Sequence, residues 1–286
     1  MPLAEQVMEG KIAHKADPVT MAEHDTPMWW GEFSFSDGQA LGWRIGPLNI
    51  HIQRLTREWR LDYQRCDAAD NGAVNVERAR PVDPTMKSDV QNRFVFRRTT
   101  ASLWLMPSLA DRSVVARPVS PFYVPPGEET VLFVSSPLWV QVSANYNRQL
   151  LESVPIVRPS DTWFGPSTRE GELCYASTTH CRLTLEELPI RPHRAVTPVQ
   201  IINRATESLL IERINLPVIY LSLYSAEPGQ LWTDMVTITR EALDENASLR
   251  LHKRPPPQAG EASLLCEPQL HADKGILSRA FNALFS

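Results

Sequence analysis

The chain has 286 residues, 43% hydrophobic and 22% charged, with 29 Lys and Arg against 33 Asp and Glu for a net charge of −4. That balance excludes a disordered chain, a collagen-like chain and a disulfide miniprotein, and leaves one large domain or two small ones. A dedicated DNA or RNA binder carries a strong basic excess, so nucleic acid is not an expected partner. Proline (24) outnumbers glycine (12) twofold and there are 8 Trp. Prolines spread through a chain break helices, so short strands and turns are expected.

Residues 1–26 read as a polar N-terminal arm. Glu5, Glu9, Lys11 and His14 interrupt any apolar signal core, and no run of 18 apolar residues exists to cross a membrane as a helix. The four cysteines, Cys66, Cys174, Cys181 and Cys266, are irregularly spaced, which is no disulfide framework. The expected compartment is therefore the cytoplasm.

From Trp29 the pattern alternates with period two. Trp30 to Ser36 reads as a strand and Ser36-Asp37-Gly38 as a turn. Leu41, Trp43 and Ile45, then Leu48, Ile50 and Ile52, then Trp59, Leu61 and Tyr63 continue the alternation as an antiparallel meander. Residues 66–91 are polar and read as a long excursion. Phe94–Arg98 and Ser102–Met106 resume the strands, completing a Trp-rich antiparallel unit over 27–112.

A β-sandwich unit is expected over 113–254. Pro125-Pro126-Gly127-Glu128 is a strong turn signal, flanked by Arg117–Val124 and Thr130–Val134. Residues 117–140 and 194–218 share an order of Arg, Val, Ser or Thr, Pro, strand, turn and strand. An internal duplication explains that, and so does ordinary sandwich grammar. Val218–Tyr224, Gln230–Arg240 and Ala247–His252 read as the last strands. Residues 255–273 read as a Pro-rich tether.

The segment Lys274–Phe285 is different. Ile276, Leu277, Ala280, Phe281, Leu284 and Phe285 form one stripe at helical spacing, with Ser278, Arg279 and Asn282 opposite and Asp273 as a cap. A dozen residues are too few for a helix to persist alone in water. The stripe is expected to bury against the chain's own β domain or in a protein partner's groove. Two cations, Lys274 and Arg279, make membrane insertion the poorest fit.

Motifs for catalysis are sparse. Cys174, His180, Cys181 and His193 lack the paired short spacing of a zinc site, and burial explains the cysteines better. No Gly-x-Ser-x-Gly elbow surrounds Ser135-Ser136, and no phosphate loop or His-Glu-x-x-His occurs. Glu128-Glu129 and Glu186-Glu187 read as solvated turn residues. Trp30, Trp43 and Trp59 beside Arg44 and Arg60 are an alternative ligand-binding face, where a sugar or small anion would stack. Arg54, Arg57 and Arg65 extend that basic cluster, although alternation alone places Arg44 and Arg60 on a solvated sheet face.

PFYVPPGEETVLFVSSPLWV (121–140), DTWFGPSTREGELCYAS (161–177) and TPVQIINRATESLLIERINLPV (197–218) together resemble an uncharacterised family of prokaryotic β-rich proteins. In that pattern Asp161 precedes the aromatic-glycine step Phe164-Gly165, and Gly171, Cys174 and Tyr175 follow. Some members are encoded beside small-conductance mechanosensitive channels. The resemblance implies a β fold and a membrane channel as a candidate partner, but no reaction.

The expected fold is all-β: an antiparallel sandwich of one or two units with a short C-terminal amphipathic helix. The expected function is a non-enzymatic cytoplasmic adaptor without a cofactor or metal, docking through Ile276, Leu277, Phe281, Leu284 and Phe285. A carbohydrate- or anion-binding sandwich is the alternative. A metal-dependent enzyme using Cys174 and Cys181 comes third.

Overall fold

The computed structural model describes residues 28–66, 76–83, 90–165, 167, 169–227, 229–241 and 247–271. The polar arm 1–26 and the stripe Ile276, Leu277, Phe281, Leu284 and Phe285 lie outside these residues. Among the described residues the protein is all-β, with two short 3₁₀ turns at Val218–Tyr220 and Pro257–Ala259.

The first strands are β1 (Gly31–Ser34), β2 (Ala40–Ile45), β3 (Leu48–Leu55), β4 (Glu58–Arg65), β5 (Val76–Pro81) and β6 (Val90–Val95). The expected meander β2-β3-β4 forms, inside a five-stranded antiparallel sheet of order β5-β2-β3-β4-β6. Gly46 makes its first turn feasible: its φ is +56°, and a Cβ there would meet the His193 ring at 2.8 Å. Two expectations change. Part of the polar excursion 66–91 is strand β5, an edge partner of β2. The Trp30–Ser36 strand, here β1, belongs to a different sheet.

The next strands are β7 (Ser102–Ser108), β8 (Val114–Ala116), β9 (Phe122–Val124), β10 (Glu129–Pro137), β11 (Trp139–Ala144) and β12 (Gln149–Pro155), of which β7, β11 and β12 join β1 in that second sheet. Its order is β1-β7-β11-β12. Because β7 pairs with β11, the 112/113 boundary drawn from sequence runs through a hydrogen-bonded sheet.

Next come β13 (Asp161–Phe164), β14 (Glu172–Ala176), β15 (Arg194–Asn203), β16 (Leu209–Ile211) and β17 (Ile214–Leu216). The tracts 117–140 and 194–218 stand side by side. They pair with each other: β10 runs antiparallel to β15 from Glu129↔Ile202 to Pro137↔Arg194, and β9 pairs with β16. The two tracts thus form two arms of one ribbon. Asn203 locks the step between its halves. Fully buried, its Nδ2 donates to the carbonyls of Val124, Pro125 and Glu207, while its Oδ1 accepts from the Ala205 N–H.

The last strands are β18 (Leu223–Ala226), β19 (Gln230–Thr233), β20 (Val236–Arg240), β21 (Ala247–Leu251) and β22 (Ala262–Cys266). The expected single strand Gln230–Arg240 is two. On the side away from β10, β15 pairs in parallel with β19 through Ala195 and Val196 and with β20 from Val199 to Asn203. A third parallel pair joins β8 and β14, so the sheets are not purely antiparallel. The supposed tether 255–273 contains β22, which pairs with β18. Three prolines at 255–257 end β21, yet the chain re-enters the sheet five residues later because β18 offers an open edge.

Period-two alternation buries this larger sheet on both faces. Leu132, Val134, Leu223 and Leu231 face a continuous core that also holds Trp29, Trp43, Leu105 and Val140. Phe133, Val196, Tyr224 and Trp232 face a smaller cluster closed by Leu185 and Leu188. A strand covered on both sides reads as an unbroken apolar run, as β10 does.

Candidate functional site

The tryptophan-arginine face does not form as a ligand platform. Trp43 and Trp59 are buried at 2% and 0% exposure, and Trp30 at 7%. Trp43 meets Phe33 edge-on with centroids 5.0 Å apart, and Phe35 meets Trp59 at 5.1 Å. The rings therefore spend their faces on core packing, which is worth more than stacking on a solvated ligand. Half-buried Arg60 donates to Glu58, and Arg93 from β6 grips the other carboxylate oxygen at 2.6 Å. The Arg93 hydrogen bond, followed by Arg60, holds the Glu58 carboxyl below its usual range. Arg54 donates to Phe35 O, and Arg65 to Pro155 O. Arg44 is half-buried on β2.

Cys174 and Cys181 are core residues. Cys174 on β14 lies 3.8 Å from Asn215 Oδ1, and burial, with Glu172 adding to it, pushes its thiol up to about 12. Burial takes Cys181 to about 11. Thiols so protonated are poor nucleophiles and poor ligands at neutral pH. His180 is exposed while His193 is buried. Among the described residues no three His, Cys, Asp or Glu side chains converge as a metal site. The aromatic-glycine step has a structural meaning instead: a Cβ on Gly165 would sit 2.1 Å from Glu170 O, so glycine lets the β13–β14 hairpin close its neck.

The polar centre that sequence reading missed is Asp234, at the break between β19 and β20. It is fully buried. Its Oδ2 accepts the Ser222 backbone N–H at 2.6 Å, and its Oδ1 accepts the Tyr224 hydroxyl at 2.8 Å. Thr233 donates to the Asp234 carbonyl and also meets Thr197 at 2.7 Å. Burial raises the Tyr224 phenol to about 12, with Asp234 adding to the rise. Beyond the break, His252 Nε2 lies 2.8 Å from Thr237 Oγ1. Burial lowers that imidazole's pKa, and Arg250 and Arg254 lower it further. The signal was present in QLWTDMVTITR: a lone acid in an otherwise buried strand marks either a break or a built polar site.

A cavity of about 410 Å³ lies between β18 and β22 on one side and the end of β21 on the other. Ser222 and Tyr224 line it near Asp234. Tyr220, Leu251, Leu264 and Leu270 supply apolar walls, and Lys253, Arg254 and Glu267 supply charge. Lys253 has a left-handed backbone, φ +49°, a strained conformation for a residue with a Cβ. The lining suits recognition: two exposed cations stand beside an apolar trough.

Among the described residues no helix is long and apolar enough to cross a membrane. Neither a curated protein nor a solved structure matches the chain. The family model described as "Protein of unknown function (DUF432)" matches residues 29–286. Because that match takes in every β element above and runs on through the terminal apolar stripe, the chain belongs to the DUF432 family.

Proposed function

We propose that the protein is a non-enzymatic accessory protein of the cytoplasm, which docks a protein partner through Ile276, Leu277, Phe281, Leu284 and Phe285. The observation that carries this reading is how the chain reaches that stripe. After β22, Gln269 Nε2 donates to Leu109 O at 2.6 Å, and Leu270 N–H donates to Ile219 O at 3.1 Å. The stripe therefore starts, along the sequence, a few residues after a point stitched to the β body. Holding a recognition segment at one place reduces the entropy lost when it binds. The family match includes the stripe and leaves out the first 28 residues, which favours a role for it shared across the family. All four cysteines are free thiols, in keeping with a reducing compartment.

The resemblance read from residues 121–218 makes a small-conductance mechanosensitive channel the first partner to test. The full chain and a chain ending at His271 are compared by thermal melting and by co-purification with that channel from the same host. Equal melting temperatures, with capture by the full chain alone, are expected. A truncated chain that melts earlier and captures no less than the full one would assign the stripe to the protein's own fold.

A further inference from the structure

We propose that the cavity beside Asp234 binds a small amphipathic organic anion, with one carboxylate or phosphate group on an apolar body. Its volume of about 410 Å³ falls in the range of small-molecule sites. The two halves of such a ligand have separate counterparts. Leu264 and Leu270 line the cavity and remain 50% and 49% exposed, so apolar surface is left that an occupant would remove from water. Lys253 and Arg254 are adjacent, and neither has a hydrogen bond or ion pair with another described side chain.

The electrostatic setting agrees. Arg250 and Arg254 both disfavour a proton on His252, which marks positive potential at this rim. Asp234 pulls the other way on His252, but it is fully buried and does not line the cavity. Glu267, also in the lining, disfavours a second anionic group and so selects for a single one. Lys253 keeps its strained backbone at this wall and not in a free turn, as residues at binding sites commonly do.

The test is calorimetric titration of the full-length protein with octanoate and octyl phosphate, against 1-octanol and inorganic phosphate. Octanoate or octyl phosphate should bind saturably, and whichever binds tighter identifies the head group. The alcohol and inorganic phosphate, each carrying half of the recognition, should bind at least about tenfold more weakly. Lys253→Gly should weaken the anion by about tenfold while leaving the melting temperature unchanged or higher, since glycine relaxes φ +49°. Arg254→Ala should weaken it similarly without unfolding, because the side chain is exposed. Equal binding of octanol and octanoate, absence of saturable heat, or unchanged affinity in both variants would overturn the proposal. These variants touch nothing beyond His271, so their failure leaves the docking role of the terminal stripe standing, and the reverse holds too.

Discussion

In the five-stranded sheet Arg60 and Arg93 stand directly opposite each other on β4 and β6, and Glu58 lies between them with both oxygens engaged. At the edge of the split sheet Lys253 and Arg254 stand side by side, and among the described residues no acid bridges them as Glu58 does. Around Trp43 and Trp59 the aromatic rings are likewise used up on one another, whereas Leu264 and Leu270 face an opening. The first region has closed its chemistry inward and serves stability. The second leaves polar groups and space together.

The largest expected difference between the two regions is in stability. Trp59→Ala should destabilise by about 3–5 kcal/mol, through lost burial and the cavity it leaves. Urea unfolding measures it, and a loss below 1 kcal/mol would mean the tryptophan sheet is not the stable half. Asp234→Ala comes next, at about 2–3 kcal/mol, because it strands the Ser222 N–H and the Tyr224 hydroxyl. Tyr224→Phe should cost about 1 kcal/mol, and the double variant less than the sum. Strict additivity would show that the Tyr224–Asp234 hydrogen bond contributes nothing.

Smaller effects appear in pH dependence, with opposite signs in the two regions. Tyr224 has its folded pKa raised from 10.0 to about 12. It therefore contributes stability that is complete below pH 10 and lost as pH rises towards 12. Tyr224→Phe should flatten that alkaline limb. Glu58 has its folded pKa lowered, so its contribution is present above the ordinary carboxylate range and fades as pH falls through the depressed value. Glu58→Gln should flatten the acid limb and leave the alkaline one intact. Stability-versus-pH curves of the two variants should therefore differ from wild type at opposite ends.

Alternation along residues 41–63 made the meander legible, since period two reports which side chains share a face. It does not report neighbours. Nothing in Trp30 to Ser36 says that β1 will pair with β7 and not with β2, because the choice depends on a partner seventy residues away. The prolines at 255–257 signal a stop, and β21 ends before them. That β22 would follow them depended on an open edge of β18, which only the assembled sheet reveals. The tryptophans misled for a related reason: Trp beside Arg has the same alternation whether the ring faces core or water. Asp234 was legible as an anomaly, but its meaning needed Ser222 and Tyr224 brought to it by a hairpin.

The β10–β15 ribbon with its Asn203 lock sets a constraint on biogenesis. When β10 emerges from the ribosome its mate has not been made, and β11 to β14 must be translated first. At about 5–20 residues per second the gap lasts seconds. Through that interval Leu132, Phe133 and Val134 form a sticky, unpaired edge, the kind of segment that holdase chaperones shield. Nascent chains stalled before residue 194 should thus be the most aggregation-prone species in the life of this protein.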